Sequence, residues 1–444
     1  MPWKHTQLAS KRRWLLTHDF SLVWWGQVIS QVGDGVSKLA LLWFVYSVTG
    51  SPLKTSIIGV LQTIPAIALA PLIGVAVDRL SKKALLIASD LIRAVVIGLV
   101  PCWMSGESFT VEYLYVLVLF HAVATAVFGP ALTAAIPSLV VPSQYTSANA
   151  LLQSTTSIGI IMGPALSGIG IAALSSQDVL CLNAVTYVVS AACFLPIRMA
   201  AVPHGQPARS RMVLSAGRDI AEGLRYVLTA QPIFVFLTGI AAAYTFATAA
   251  FTTLFPVFAR TLLDLGPIEV GYLWSMLGVG LLIVSLALTS ISAWTVERRI
   301  RIVAISSAVS GAALFGFIWV NQLMAAGALL IVLGIGIGVL TPIAWGVLQE
   351  LTPPNLLGRA LAFYTMGAMG AAMGGITFFG WVAGRFGAPT TVVAIGVVML
   401  LTAFLAGLLA SSLSKKPSAR HFLLMSDSGA KSLLSGSSQT GPPR

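Results

Sequence analysis

Apolar runs of about 20 residues or more recur along nearly the whole chain, and each is long enough to cross a hydrocarbon core of about 30 Å as a helix. Inside lipid every backbone N–H and C=O must be paired within its own segment, so the runs are expected to be helices. Twelve are predicted, over about 20–47, 54–77, 84–104, 113–137, 147–174, 179–198, 232–260, 268–294, 300–320, 324–348, 358–384 and 390–413. The expected fold class is therefore an all-α membrane protein with twelve transmembrane helices. Composition agrees: 9% of the 444 residues are charged, against roughly 25% in an ordinary soluble domain. The first run exceeds a signal-peptide core and no small-residue cleavage site follows it, so it is expected to be a retained helix.

The net charge of +12 raises the question of nucleic acid. Its distribution answers it, because the basic residues lie scattered in short loops with no basic face on a folded domain. Of the 26 lysines and arginines, 21 fall in the amino-terminal arm, the loops after helices 2, 6, 8 and 10, and the carboxyl tail. The opposite loops hold only Lys54, Arg260 and Arg385. Positive charge stays on the cytoplasmic side, so both termini are expected there, in a multi-pass protein of the cell membrane. Cys102, Cys181 and Cys193 lack metal spacing and are expected to be small buried residues.

The longest polar break, about 199–231, divides the helices six and six. The expected organisation is a cytoplasmic arm (1–19), a six-helix bundle (20–198), a cytoplasmic linker (199–231), a second bundle (232–413) and a disordered tail (414–444). The second half of the linker is compatible with a short surface helix turning Leu224, Val227 and Leu228 inward. An internal repeat supports the division. "LVVPSQYTSANAL" aligns with "LTPPNLLGRALAF" at an offset of 212 residues, and "GIIMGP" from Gly159 aligns with "GAAMGG" from Gly370 at 211. Both matches relate helix 5 to helix 11, the fifth of each half, as duplicated bundles require.

The loop after helix 2 reads "GVAVDRLSKK". It resembles the signature of the major facilitator superfamily at Gly74, Asp78, Arg79, Lys82 and Lys83, with Ser81 in place of the usual glycine. The resemblance implies two pseudo-symmetric bundles working by alternating access. It also implies an inner gate in which Asp78, Arg79 and Arg93 form a state-dependent cluster, with Asp90 adjoining Arg93 at i, i+3. In helix 5, "GIIMGPALSG" carries Gly159, Gly163, Pro164 and Gly168; small residues four apart let helices approach closely, and the proline bends the helix. This stretch is similar to the helix-5 motif of the antiporter branches. "GQVISQVGD", "SDLIRA", "SANALLQ" and "PPNLLGRALAF" resemble the macrolide-efflux and siderophore-export branch. The function so implied is export of an amphiphilic small molecule, with protons as the counter-substrate; lipid movement or uptake by the same fold, and a non-transporting sensor or assembly partner, stand as alternatives. The expected partners are that small molecule, protons and the bilayer, with no nucleic acid, and the chain is expected to act as a monomer. No phosphate-binding loop or metal-ligating cluster occurs in the sequence, so no cofactor and no enzymatic activity are expected.

Helix 1 carries Gln27, Gln31, Asp34 and Lys38. At 100° per residue they span an arc of about 60°, a single polar stripe. A charge at mid-membrane costs on the order of 3 kcal/mol, so the stripe is expected to face protein or a wet cavity. Asn149 and Gln153 give helix 5 a weaker stripe at i, i+4. Three readings of Asp34 remain open at this level. It is a proton-coupling carboxylate that alternates with substrate; or it forms an i, i+4 ion pair with Lys38; or it holds Lys38 in place to attract an anionic substrate. Trp24, Tyr244 and Trp345 are candidate cavity aromatics, while His121, alone in helix 4, is expected to be a packed or hydrogen-bonding residue rather than a proton relay.

Overall fold

The computed structural model describes residues 17–104, 110–141, 144–197, 199, 232–288, 294–352 and 357–415. The arm, the linker with its amphipathic segment, and most of the tail therefore lie outside the described residues. Within them, the chain forms α1 (His18–Thr49), α2 (Pro52–Ala68), α3 (Ala70–Arg79), α4 (Lys82–Met104), α5 (Val111–Leu139), α6 (Tyr145–Ala173), α7 (Ser176–Phe194), α8 (Pro232–Leu263), α9 (Pro267–Leu288), α10 (Val296–Trp319), α11 (Leu323–Leu351) and α12 (Leu357–Lys415).

Local chemistry sets the turns. Thr17 caps α1 by accepting from Phe20 N–H, and Gly50 closes it with its own N–H on Tyr46 C=O. Ser51 then caps α2, with Pro52 in its first turn, so two spans are joined by two residues. The second span is not straight: α2 and α3 meet at 57°. Pro65 and Pro71 flank the break at Leu69, each removing a helix hydrogen bond. In α12, 59 residues would reach about 88 Å as one straight helix, nearly three times the hydrocarbon thickness. Gly387, at φ 83° and ψ 169°, breaks it into two spans. Nine straight spans, the bent pair and the halves of α12 give twelve crossings among the described residues.

α1 packs against α6 and α7, and α4 against α5 and α7; α8 and α10 pack against α12, and α9 against α11. Two pairs dominate the contact between the halves, α6 with α9 and α2 with α12, with smaller contacts of α1 and α2 on α8. In span order the dominant pairs are 5 with 8 and 2 with 11, the same contact made twice, as a pseudo-two-fold axis demands. Large apolar residues such as Val95, Leu286 and Phe404 are exposed around the perimeter, which suits a lipid solvent. The same geometry corrects the cysteine expectation: Cys181 is exposed and Cys193 half-buried. On a membrane protein an apolar side chain is already out of water at the perimeter, so hydrophobicity does not imply burial in protein.

The joints between bundles cluster at one end, where α1 ends and α2 begins. A Cβ on Gly168 would strike the Pro267 carbonyl, one on Gly271 the Pro164 carbonyl, and one on Gly380 the Ser56 hydroxyl. Arg260 of α8 lies over the rings of Trp43 and Tyr46 of α1, at 5.2 and 5.8 Å. At the opposite end Asp78 and Arg79 are exposed and make no salt bridge among the described residues.

Candidate functional site

Asp34 sits 16 residues into the 32-residue α1, about 24 Å along a 48 Å helix and so at its middle. Glycine flanks it on both sides. Gly33 makes room for Asn183 and Thr186 of α7, and Gly35 lies against the backbone of α6 at Gly159 and Gly163. Gly163 in turn would meet Gly35 and the Val32 carbonyl if it carried a Cβ. The helix-5 glycines thus clamp α6 onto α1, while Pro164 and Gly168 press its other side onto α9. Ser167 donates to the Val36 carbonyl at 2.8 Å and ties the same joint by a hydrogen bond. Gly74, by contrast, has open space around it.

Held this way, Asp34 reaches a charged cluster drawn from four helices. Tyr187 Oη of α7 donates to one Asp34 oxygen, and Arg93 Nη1 of α4 lies 3.7 Å from the other. Arg93 also donates from Nη2 to Asp90, one turn before it on α4. The guanidinium is sandwiched between Phe128 and Tyr187, 4.3 and 4.4 Å from their ring centres. His121 Nε2 of α5 lies 2.8 Å from Tyr187 Oη. Asp90 and Arg93 are 0% and 1% exposed, whereas the Asp34 side chain keeps 27% exposure. A desolvated guanidinium needs this surround of carboxylates and ring faces, because an unpaired ion in such a site is very costly.

The cluster revises several expectations. Arg93 belongs with Asp34 and Asp90, and the structure does not join it to Asp78 or Arg79, which lie apart at the exposed end of α3. Lys82 and Lys83 are half-buried, and Lys83 Nζ donates to the Leu195 and Ile197 carbonyls, anchoring the end of α7. Asp34 pairs with Arg93 rather than Lys38. Lys38 is exposed, makes no salt bridge among the described residues, and has its Nζ 5.7 Å from the ring centre of Trp274 in the opposite bundle. Gln27 is 2% exposed and so does not line an open space, while Gln31 is half-buried. Asn149 and Gln153 are exposed on α6; Asn149 donates to the Tyr145 carbonyl. Trp24 and Tyr244 serve packing, donating to the Leu151 and Gly336 carbonyls, and Trp345 is exposed. His121 is a hydrogen-bonding residue, but it is not alone.

Tyr187, Phe128 and Trp274 escaped the sequence reading. A signal existed for the first: Asn183, Thr186, Tyr187 and Ser190 stand at i, i+3, i+4 and i+7 of an otherwise apolar α7, one polar face turned on α1 and α4. Aromatic partners of a cation carry no such period.

A family model, the Major Facilitator Superfamily, matches residues 23–375. The chain belongs to this superfamily. Among curated superfamily relatives, the multidrug efflux pump Tap of Mycolicibacterium fortuitum is 27% identical over 413 residues, covering 89% of this chain and 98% of that protein. Macrolide efflux protein A of Streptococcus pyogenes is 22% identical, covering 77% and 84%. Among solved structures, the nucleoside transporter NupG aligns with a TM-score of 0.68 at 16% identity over 88% of this chain and 98% of its own. A bacterial homolog of the human lysosomal transporter Spinster, inward-facing and unoccupied, gives 0.66 at 13% over 90% and 99%. At such identities these structures speak for the fold alone. The family match and the efflux relatives, together with this fold, make the chain a multi-pass superfamily transporter of two six-helix bundles.

Proposed function

We propose that the protein exports an amphiphilic small molecule in exchange for protons, and that Asp34 is where the two compete. Supporting the export direction are the two relatives named for drug efflux. The observation that carries the coupling is the position of Asp34: partly exposed on a polar stripe, yet joined through Arg93 to the buried Asp90. A group that must take protons from water and transmit their presence to helix packing needs both sides. With both carboxylates ionised, Asp34 and Asp90 balance Arg93 and Lys38; one proton leaves the site positive. The deprotonated site therefore accepts a neutral or cationic amphiphile and the protonated site repels a cation, which is the alternation antiport requires. An anion would follow the opposite order.

The positive-inside distribution orients both termini to the cytoplasm and makes the closed end the outer one. In that orientation the conformation is inward-facing, and the exposure of Asp78 and Arg79, with no salt bridge to either among the described residues, fits an open inner gate.

Everted vesicles carrying the protein and a preset pH gradient test this reading. A macrolide should accumulate inside and discharge the gradient, and Asp34→Asn should abolish accumulation while sparing substrate exchange at equal pH. Normal uphill transport by Asp34→Asn would remove Asp34 from coupling. Failure of macrolides, siderophores and lysolipids alike to discharge the gradient would remove proton-coupled export.

A further inference from the structure

Away from the charge cluster, a groove of about 440 Å³ lies between the end of α9, the first half of α10 and the middle of α11. Its volume falls within the range of small-ligand sites, about 300–1,000 Å³. Its walls are almost wholly apolar, from Val284 and Leu288 on α9, Ile305 and Val309 on α10, and Ile335 and Val339 on α11. Ile305 is 58% exposed and Val309 45%, and Ile283 and Leu286 stand exposed beside them, so the groove opens on the lipid-facing perimeter. Its depth has a specific cause. Gly280 and Gly334 bring α9 and α11 into backbone contact, and Gly336 lets the Ser310 side chain of α10 close on α11, leaving a furrow beside both crossings.

The end of the furrow is charged. Arg298, Ile302, Ile305 and Val309 stand at i, i+4, i+7 and i+11 of α10, so they share one helix face, and Arg298 lies about 6 Å above the first groove residue. Two of the three arginines in the first two turns are neutralised: Arg299 by Glu350 and Arg301 by Glu297. Arg298 is exposed and makes no salt bridge among the described residues. Trp294, 41% exposed at the head of the helix, sits where interfacial aromatics anchor a span.

We infer that this groove is a binding site for one anionic glycerophospholipid, with an acyl chain along Ile305 and Val309 and the phosphate on Arg298. An apolar furrow at membrane depth, capped at its mouth by an arginine with no salt-bridge partner among the described residues, matches a chain and an anionic head joined in one molecule. A zwitterionic lipid fits the furrow equally well but brings its own cation to Arg298. The inference is independent of what is exported and rests only on the membrane placement of α9–α11.

The test uses the full-length protein, delipidated in mild detergent and offered equimolar palmitoyl-oleoyl phosphatidylglycerol and phosphatidylcholine, with retained lipid counted by native mass spectrometry. The wild type should retain phosphatidylglycerol about fivefold over phosphatidylcholine, the preference one basic residue adds at a membrane surface. Arg298→Gln should bring the ratio to about one with total lipid unchanged, because the chain keeps its furrow. Val309→Phe, at a partly exposed position, should fill the furrow and lower both lipids together. Equal retention by the wild type, or a preference that survives Arg298→Gln, would overturn the site. Displacement of the bound lipid by a macrolide at its transport concentration would also overturn it, by making the furrow part of the substrate path.

Discussion

The two bundles share an architecture and differ in what fills their centres. The first holds Asp34, Asp90 and Arg93 between α1, α4 and α7, with Tyr187 and His121 closing the network. In the second, every charged residue of the described spans lies near a helix end, and the centre is aromatic: Phe251, Phe255, Phe258 and Phe317 cluster, and Phe255 meets Trp274. At the 211-residue offset of the helix-5 glycine repeat, Gly163 aligns with Gly374. The packing role is kept one residue further on, since Gly163 presses on α1 at Gly35 and Gly375 presses on α8 at Phe246. Duplication thus conserved the packing joint while the chemistry diverged. One bundle packs titratable groups around an arginine; the other packs aromatic rings against one another.

The largest expected effect tests whether charge or packing holds the first bundle. Arg93→Ala leaves the buried Asp90 and the partly exposed Asp34 without their cation and should destabilise the purified protein by about 3–5 kcal/mol in thermal unfolding. The combination Asp34→Asn, Asp90→Asn and Arg93→Met should regain most of that stability yet show no proton-driven transport in everted vesicles. If the combination still couples, the bundles do not differ in the way their centres suggest.

On the other side of the comparison, Phe255→Ala should cost about 3–5 kcal/mol by cavity formation in the aromatic cluster. The protein that remains folded should keep its wild-type dependence on the pH gradient. A changed proton dependence would show that the second bundle takes part in coupling.

A smaller effect is expected where the bundles meet. Gly271→Val puts a branched side chain against the Pro164 carbonyl, and it should part α6 from α9 and raise thiol labelling of a cysteine introduced at Ile268. Unchanged labelling would mean that the joint yields without opening.

Lys38→Gln removes one positive charge beside the cluster, and it should tighten binding of a cationic amphiphile by roughly 3- to 10-fold, measured by ligand-quenched tryptophan fluorescence. Smallest of all, Ser167→Ala deletes one hydrogen bond between α6 and α1 and should cost about 0.6 kcal/mol, the average for such bonds in membranes. A loss several times larger would mark Ser167 as more than a single tie between α6 and α1.

Much of this was legible in the linear chain, and the reasons are specific. Hydrocarbon thickness fixes helix length, so the twelve runs were visible within a few residues of the helices; only the bend at Leu69 was missed, because Pro65 and Pro71 mark a break without stating its angle. The repeat was visible because the glycines of helices 5 and 11 answer to the same close approach. The site was legible one helix at a time. Periodicity placed Asp34 and Lys38 on one stripe and made Asp90 and Arg93 neighbours, since those relations are intrahelical.

What periodicity does not carry is the partner across a helix pair. Asp34 and Lys38, four residues apart, read as a natural ion pair, yet Asp34 turns to Arg93, 59 positions away, and Lys38 to Trp274 in the other bundle. The family resemblance links Arg93 with Asp78 and Arg79, while its contacts here are with Asp34, Asp90, Phe128 and Tyr187. By itself, then, the sequence determined the solvent, the number of crossings, the duplication and the stripe, because the bilayer imposes each of these on single segments. The tertiary structure decided which charges meet, because in a dry bundle a charge takes the partner that packing presents, and packing is set by glycines and rings on other helices.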